Sequence, residues 1–141
     1  VPNIRWLLAL VTAVHRFLFR ATGGRIGAQI GKVDVLLLTT TGRKSGKRRV
    51  TPLLFVEDEG RWVVVASNAG DDRHPSWWLN LQANPDSEVQ VRDQHHKTRA
   101  RRARPEEAEA LWPRLDRAYP PYADYRRRTS REIPVVILDP T

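Results

Sequence analysis

Three apolar, β-branched runs separated by two tight-turn signals decide most of what this chain can fold into. Residues 33–41, Val-Asp-Val-Leu-Leu-Leu-Thr-Thr-Thr, read as a buried strand. Gly42 and Gly46 bracket a turn, and residues 49–56 read as a second strand with Pro52 inside it. A proline has no N–H for a ladder, so that stretch is expected at an edge or a bulge. Asp58-Glu59-Gly60 then turns the chain into a third strand over residues 61–67. Further on, residues 88–92 and 95–104 pair around an expected turn at Asp93-Gln94, and residues 133–138 form a last apolar strand. Strands joined by hairpins rather than by crossover helices predict an antiparallel barrel with peripheral helices.

Helical patterns surround these strands. Pro75 follows His74 where a helix is expected to start, and Asn84-Pro85 ends it. Pro105-Glu106-Glu107 opens a second helix that runs to about Tyr119, and residues 122–129 form a third beyond Pro120-Pro121. We expect one α+β domain: an amphipathic N-terminal helix over residues 1–22, then a barrel domain over residues 30–141, with about six mostly antiparallel strands and peripheral helices. In the first helix Ile4, Leu7, Val11, Val14 and Leu18 share one face, and Arg5, Thr12, Arg16 and Arg20 the other. The apolar stretch is too short to cross a bilayer and lacks a cleavage site, so neither a membrane span nor a signal peptide is expected. Packing on the domain's own core and lying on an anionic membrane surface both remain open for it. The start at Val1 leads us to expect an upstream segment.

Charge narrows the partners. Lys and Arg number 24 against 16 Asp and Glu, a net charge of +8, which predicts a polyanionic partner: nucleic acid, anionic membrane, or a phosphorylated or polycarboxylate cofactor. There is no cysteine, so disulfides and thiolate metal sites are excluded, and the location expected is the cytoplasm. In Thr41-Gly42-Arg43-Lys44-Ser45-Gly46-Lys47-Arg48-Arg49 two glycines allow a tight turn, and Arg43, Lys44, Ser45 and Arg49 offer donors to an anion. The segment is not a Walker A loop, because Arg48 follows Lys47 and a strand follows the turn. A solvated charged hairpin is the competing reading. A second basic run, residues 95–104, puts Lys97, Arg99 and Arg101 on one strand face, either as a solvent-facing edge or as an anion groove.

Nucleophilic and metal chemistry find no support. His95 and His96 point to opposite faces of a strand, His15 and His74 stand alone, and Asp71-Asp72 reads as a solvated loop pair. No metal is expected. Tyr119, Tyr122 and Tyr125 fall three apart across a double proline, either as helix packing or as an aromatic lid with hydroxyls toward a ligand. An enzyme without its own acid–base set remains plausible where a cofactor carries the chemistry.

Several separated motifs, in order, resemble a known family: residues 38–46, residues 49–53, Ala66-Ser67, His74-Pro75, Trp77, Asn80-Leu81, residues 83–85 and residues 133–136. Together they make the chain similar to the deazaflavin-dependent nitroreductases, which use coenzyme F420 on a split β-barrel like that of FMN-binding oxidoreductases. The resemblance implies hydride transfer from reduced deazaflavin to an electron-poor small molecule: a quinone, a nitroaromatic or an enone. It implies that Arg43, Lys44, Ser45 and Arg49 grip the anionic tail. Thr51, Pro52, Leu53, Ala66, Ser67 and Asn68 would border the cofactor, and Trp77 and Asn80 would close the site. Tyr119, Tyr122, Tyr125 and Ser67 would serve the substrate. Asn68 departs from a lysine, which removes a tail contact or moves it to the Lys97–Arg101 strand, and Leu54 replaces a pocket tyrosine. The resemblance also brings peripheral contact between the first helix and the membrane, and makes nucleic acid an unneeded partner. A nucleic-acid-binding barrel, an FMN enzyme and a coenzyme carrier of the same fold are the rival readings. Oligomeric state is not set by the sequence.

Overall fold

A computed structural model describes residues 29–30 and 33–141. The helix expected over residues 1–22 lies outside the described residues. The strands are β1 (Gln29–Ile30), β2 (Val33–Thr41), β3 (Arg48–Asp58), β4 (Arg61–Val65), β5 (Asp86–Val91), β6 (Gln94–Arg102) and β7 (Val135–Pro140). Among the described residues three α-helices, α1 (Ser76–Ala83), α2 (Pro105–Ala118) and α3 (Pro121–Arg128), lie between them. The sheet order is β1-β2-β3-β4-β7-β6-β5, and β5 returns to pair with β2, so six strands close into a barrel. Every pairing is antiparallel. The fold is the α+β split barrel.

Alternation along the strands builds two apolar layers. Leu36, Leu38, Val64, Val89, Val136 and Leu138 fill the barrel together with Trp77, Trp78 and Leu81 of α1. The intervening residues Val63, Val65, Val135 and Ile137 face outward and are covered by Leu111, Leu115 and Tyr122 of α2 and α3. A strand buried on both faces reads as a continuous apolar run rather than an alternating one. β7, Val-Val-Ile-Leu, and the middle of β2 have that character because of it.

Element ends differ from expectation for local reasons. β4 stops at Val65 instead of Ser67, because the Ala66 and Ser67 carbonyls are taken by the Arg131 guanidinium. β7 starts at Val135, since Pro134 has no N–H to donate, although its carbonyl accepts from Ala66 N–H at 3.0 Å. The hairpin turns at Arg92-Asp93 rather than Asp93-Gln94, with Arg92 at φ +56° and Val91 opposite Gln94. Pro52 sits opposite Leu37 of β2, and among the described residues β4 pairs with β3 only at Val56 to Asp58, so the proline stands clear of that ladder.

The basic run on β6 is tied to carboxylates. Arg101 donates through both Nη atoms to Glu107 at 2.8 and 3.1 Å and through Nε to Asp139 at 2.9 Å, which links β6, α2 and β7. Glu107 also accepts from Arg104 N–H at 2.9 Å in the first turn of α2, where a carboxylate favours the helix dipole. The Arg101 guanidinium, with the Arg104 amide, holds the Glu107 carboxyl down at about 2. A depressed folded-state value stabilises above the unfolded carboxylate range and is lost as pH falls through about 2. We expect thermal stability to decline below about pH 4.5, with on the order of 1–2 kcal/mol of that decline abolished in Glu107→Gln. Melting curves of both proteins from pH 6 to 2 check it.

Candidate functional site

The turn after β2 is built by its own backbone. Gly42 N–H donates to the Lys47 carbonyl and Gly46 N–H to the Gly42 carbonyl, both at 2.8 Å. Gly46 has φ +72°, a conformation glycine adopts without strain. A Cβ on Gly42 would stand 2.8 Å from Ser45 Oγ and 3.2 Å from the Lys47 carbonyl, so only glycine closes the turn this tightly. Ser45 Oγ is occupied inside the loop, accepting from Lys47 N–H at 3.2 Å.

Asn80 of α1 fixes this turn from below. Its Oδ1 accepts from Arg43 N–H at 3.1 Å and Arg43 Nη1 at 2.9 Å, while its Nδ2 donates to Thr40 Oγ1 at 3.3 Å. Arg43 Nη1 also reaches the Ser76 carbonyl at 3.5 Å. Asn80 and Thr40 are buried, so a polar chain under the turn joins β2, the loop and α1. Arg48 pairs with Glu88 at 2.7 Å. Among the described residues no carboxylate forms an ion pair with Arg43, Lys44, Lys47 or Arg49. The result is a rigid turn with an exposed crown of cations whose charge is unmatched. Its donor set fits a phosphate or carboxylate group.

On β3, Thr51, Pro52 and Leu53 lie opposite Leu38, Leu37 and Leu36 of β2. Leu53 packs against the barrel interior, and Leu54, on the alternate side, is half-buried. Ala66 and Trp77 are core residues of the barrel, 0% and 7% exposed, so they shape the wall from within.

After Ala66 the chain makes a tight loop. Ser67 is in the right-handed helical region, and Asn68, Ala69 and Gly70 follow at φ +46°, +53° and +80°. Gly70 lies against α3: a Cβ there would meet the Tyr125 backbone at 3.1 Å. Ser67, Asn68 and Tyr125 are thereby brought into one neighbourhood. Tyr119 and Tyr125 share a hydroxyl–hydroxyl hydrogen bond at 3.1 Å. Tyr122 between them is buried, its ring edge-on to Tyr119 with centroids 4.9 Å apart. Burial pushes the Tyr122 hydroxyl well above its ordinary range, and the Tyr119 hydrogen bond raises Tyr125. Tyr122 thus answers to the packing reading, while Tyr119 and Tyr125 present a partly exposed hydroxyl pair.

Two isolated features of the sequence have partners in the fold. Asp71 and Asp72 are exposed loop residues, as expected, and each also has a partner: Asp72 Oδ1 accepts from Thr129 Oγ1 at 2.6 Å, and Asp71 Oδ1 from Arg73 N–H at 2.8 Å. His74 Nδ1 meets Arg131 Nη1 at 3.2 Å. Burial, then Arg131 and Arg102, hold the His74 imidazole below its usual value, which favours its neutral form. Sequence reasoning did not single out Arg131, whose acceptors are mostly backbone carbonyls and leave no side-chain motif.

The strand that is one of two alternatives for the tail contact at position 68 is largely committed. Arg99 pairs with Asp86 at 3.1 Å, Arg101 with Glu107 and Asp139, and Arg102 with Glu132 at 3.2 Å. A groove of about 660 Å³ beside it mixes Arg48, Lys97 and Arg99 with Asp86 and Glu88. That balance of sign does not make a polyanion track.

Comparison with known proteins bears on the family of the chain. Residues 12–140 match the family model for F420H(2)-dependent quinone reductase. An F420H(2)-dependent quinone reductase of Mycobacterium tuberculosis is 40% identical over 129 residues, covering 89% of this chain and 87% of that protein. A solved F420-H2 dependent reductase is 47% identical, with TM-score 0.69, over 74% of this chain and 93% of the other. A structure solved as a domain-swapped dimer is 40% identical, with TM-score 0.73, over 96% and 98%. The family model and the Mycobacterium tuberculosis relative name quinone reduction, and the matches favour an F420H2 enzyme over a nucleic-acid-binding barrel. The chain belongs to the F420H(2)-dependent quinone reductase family, an oxidoreductase with coenzyme F420 as its reductant.

Proposed function

We propose that this member reduces a quinone-type acceptor, with the coenzyme's anionic tail on Arg43, Lys44 and Arg49 and its ring along Thr51, Pro52 and Leu53 beside Ser67 and Asn68. The observation that carries the reading is the crown of unmatched cations, held in place by Asn80. Coenzyme F420, when bound, supplies the hydride. The chain's own work is to hold ring and acceptor within about 3–3.5 Å of each other and to keep water from the reacting face. Leu53 and the wall backed by Ala66 and Trp77 supply the apolar side of that seat.

The Tyr119–Tyr125 hydroxyl pair is the chain's proton-bearing group on the acceptor side. One hydroxyl donates to the other and leaves the second free to donate to an acceptor oxygen. Ser67 is a second donor, and Tyr122 supports both rings from the core. Leu54 in place of a tyrosine favours a broad, greasy acceptor, so quinones rank above nitroaromatics and enones. The reading carries a cytoplasmic location. It also includes peripheral contact of residues 1–22 with an anionic membrane, argued from Arg5, Arg16 and Arg20 on one face; co-sedimentation with anionic and neutral vesicles tests that part.

Titrating the full chain separately with F420 and FMN, following ring fluorescence, tests the cofactor. We expect saturable binding of F420 and none of FMN below millimolar concentration. Equal affinity for both, or affinity for neither with steep salt-dependent binding of DNA, would remove the reading. Turnover with a soluble quinone separates an enzyme from a carrier.

A further inference from the structure

The loop that carries Ser67 and Asn68 is held by one side chain from the far end of the chain. Arg131 lies between α3 and β7. Its Nε donates to the Asp71 carbonyl at 2.8 Å and Nη2 to the Ser67 carbonyl at 2.9 Å. Both Nη atoms reach the Ala66 carbonyl at 3.3 Å, and Nη1 also meets His74 Nδ1 at 3.2 Å. A guanidinium has five N–H donors in a fixed planar fork, and each has an acceptor here. Asp71 and Asp72 act on it only at longer range, and burial lowers its pKa. The charge is therefore spent on backbone carbonyls.

That has a geometric consequence. Among the described residues there is no cis peptide, and in a trans peptide the N–H points opposite to the C=O. With the Ala66 and Ser67 carbonyls drawn to Arg131, the Ser67 and Asn68 N–H groups of the same two peptides face away from it. Ser67 in the right-handed region followed by Asn68 at φ +46° is the backbone pattern in which successive N–H groups converge on an anion or a carbonyl oxygen. A cation on the carbonyl side polarises each peptide and strengthens its N–H as a donor.

We propose that Arg131 is a positioning residue for the reaction: it clasps the 66–74 loop so that the Ser67 and Asn68 N–H groups stand as donors to oxygen atoms of the bound coenzyme. This rests on the F420 reading given above. The main chain then offers the coenzyme a donor at position 68 that does not depend on a cationic side chain there.

Arg131→Gln and Arg131→Lys in the full chain test it. Lysine keeps the charge but offers one ammonium, which cannot reproduce the fork. Both variants are expected to weaken F420 binding about tenfold, as loss of an orienting neighbour does, with native circular dichroism. In the wild type the Ser67 and Asn68 amide signals should move on F420 addition, and in Arg131→Gln they should move less at the same occupancy. His74, relieved of Arg131 and left with Arg102, should titrate at higher pH in Arg131→Gln. A merely structural role would lower the melting temperature and leave the affinity of the folded fraction unchanged, which overturns the proposal. So do wild-type amide signals that stay still on F420 addition, a measurement that needs no variant to fold. A wild type without F420 affinity overturns the functional reading and this role with it. An unchanged His74 titration overturns the clasp itself, so the two failures are read separately.

Discussion

Lys44→Ala combined with Arg49→Ala is expected to raise the F420 dissociation constant about 100-fold, or about 2.7 kcal/mol, while leaving the barrel folded. Both residues are exposed and form no ion pair among the described residues, so the fold has little to lose; surface substitutions of this kind move stability by about 0.5 kcal/mol or less. The coenzyme has much to lose. A charge-assisted hydrogen bond contributes about 1.5–3 kcal/mol, and solvent screening at this open crown keeps the pair near the lower end. Arg43 remains in the variant, tied to Asn80, so binding weakens without vanishing. The wild-type affinity should fall with added salt, and the variant should show a shallower dependence. Lys97→Ala on the mixed-charge groove is the matched control and should change little. If the double variant binds as the wild type does, the cradle is not the tail site.

Much of the barrel was legible because strand period and turn chemistry are local. The run Val33–Thr41, the glycines after it and Asp58-Glu59-Gly60 specify consecutive antiparallel strands, and those are the ones found. Closure of β2 onto β5 was not legible: Leu38 lies opposite both Thr51 and Val89, and a second partner so distant leaves no mark in a period-two pattern. Side-chain charge left one place undecided. Lys97, Arg99 and Arg101 do share a face, but Arg101 is committed to Glu107 and Asp139, carboxylates that meet it only once β6, α2 and β7 come together. The tyrosine spacing was visible, yet the division of labour among the three depends on which ring the outer core covers. Arg131 was invisible for the opposite reason: its acceptors are main-chain atoms that every sequence has.

Asn80→Leu is expected to lower stability by about 2 kcal/mol, near 8 °C in melting temperature for a chain of this size, and to weaken F420 binding as well. Asn80 is 5% exposed and serves three partners at once: Arg43 N–H, Arg43 Nη1 and Thr40 Oγ1. Leucine fills similar space but leaves the buried Thr40 hydroxyl and the Arg43 N–H without their partner, and it frees the turn to sample positions in which the cations point elsewhere. Affinity then falls by the fraction of time the cradle is out of place. Asn80→Asp separates the two effects. Its carboxylate still accepts from both Arg43 groups, and the Thr40 hydroxyl can rotate to donate, so stability should stay near the wild type. The new negative charge, however, sits under the crown of Arg43 and Lys44 and opposes an anionic tail. Leucine should lose stability and affinity together, and aspartate affinity alone. A leucine variant with the wild-type melting temperature and wild-type affinity would show that the polar chain under the turn does not hold the site, since an uncoupled turn would leave both quantities where they were.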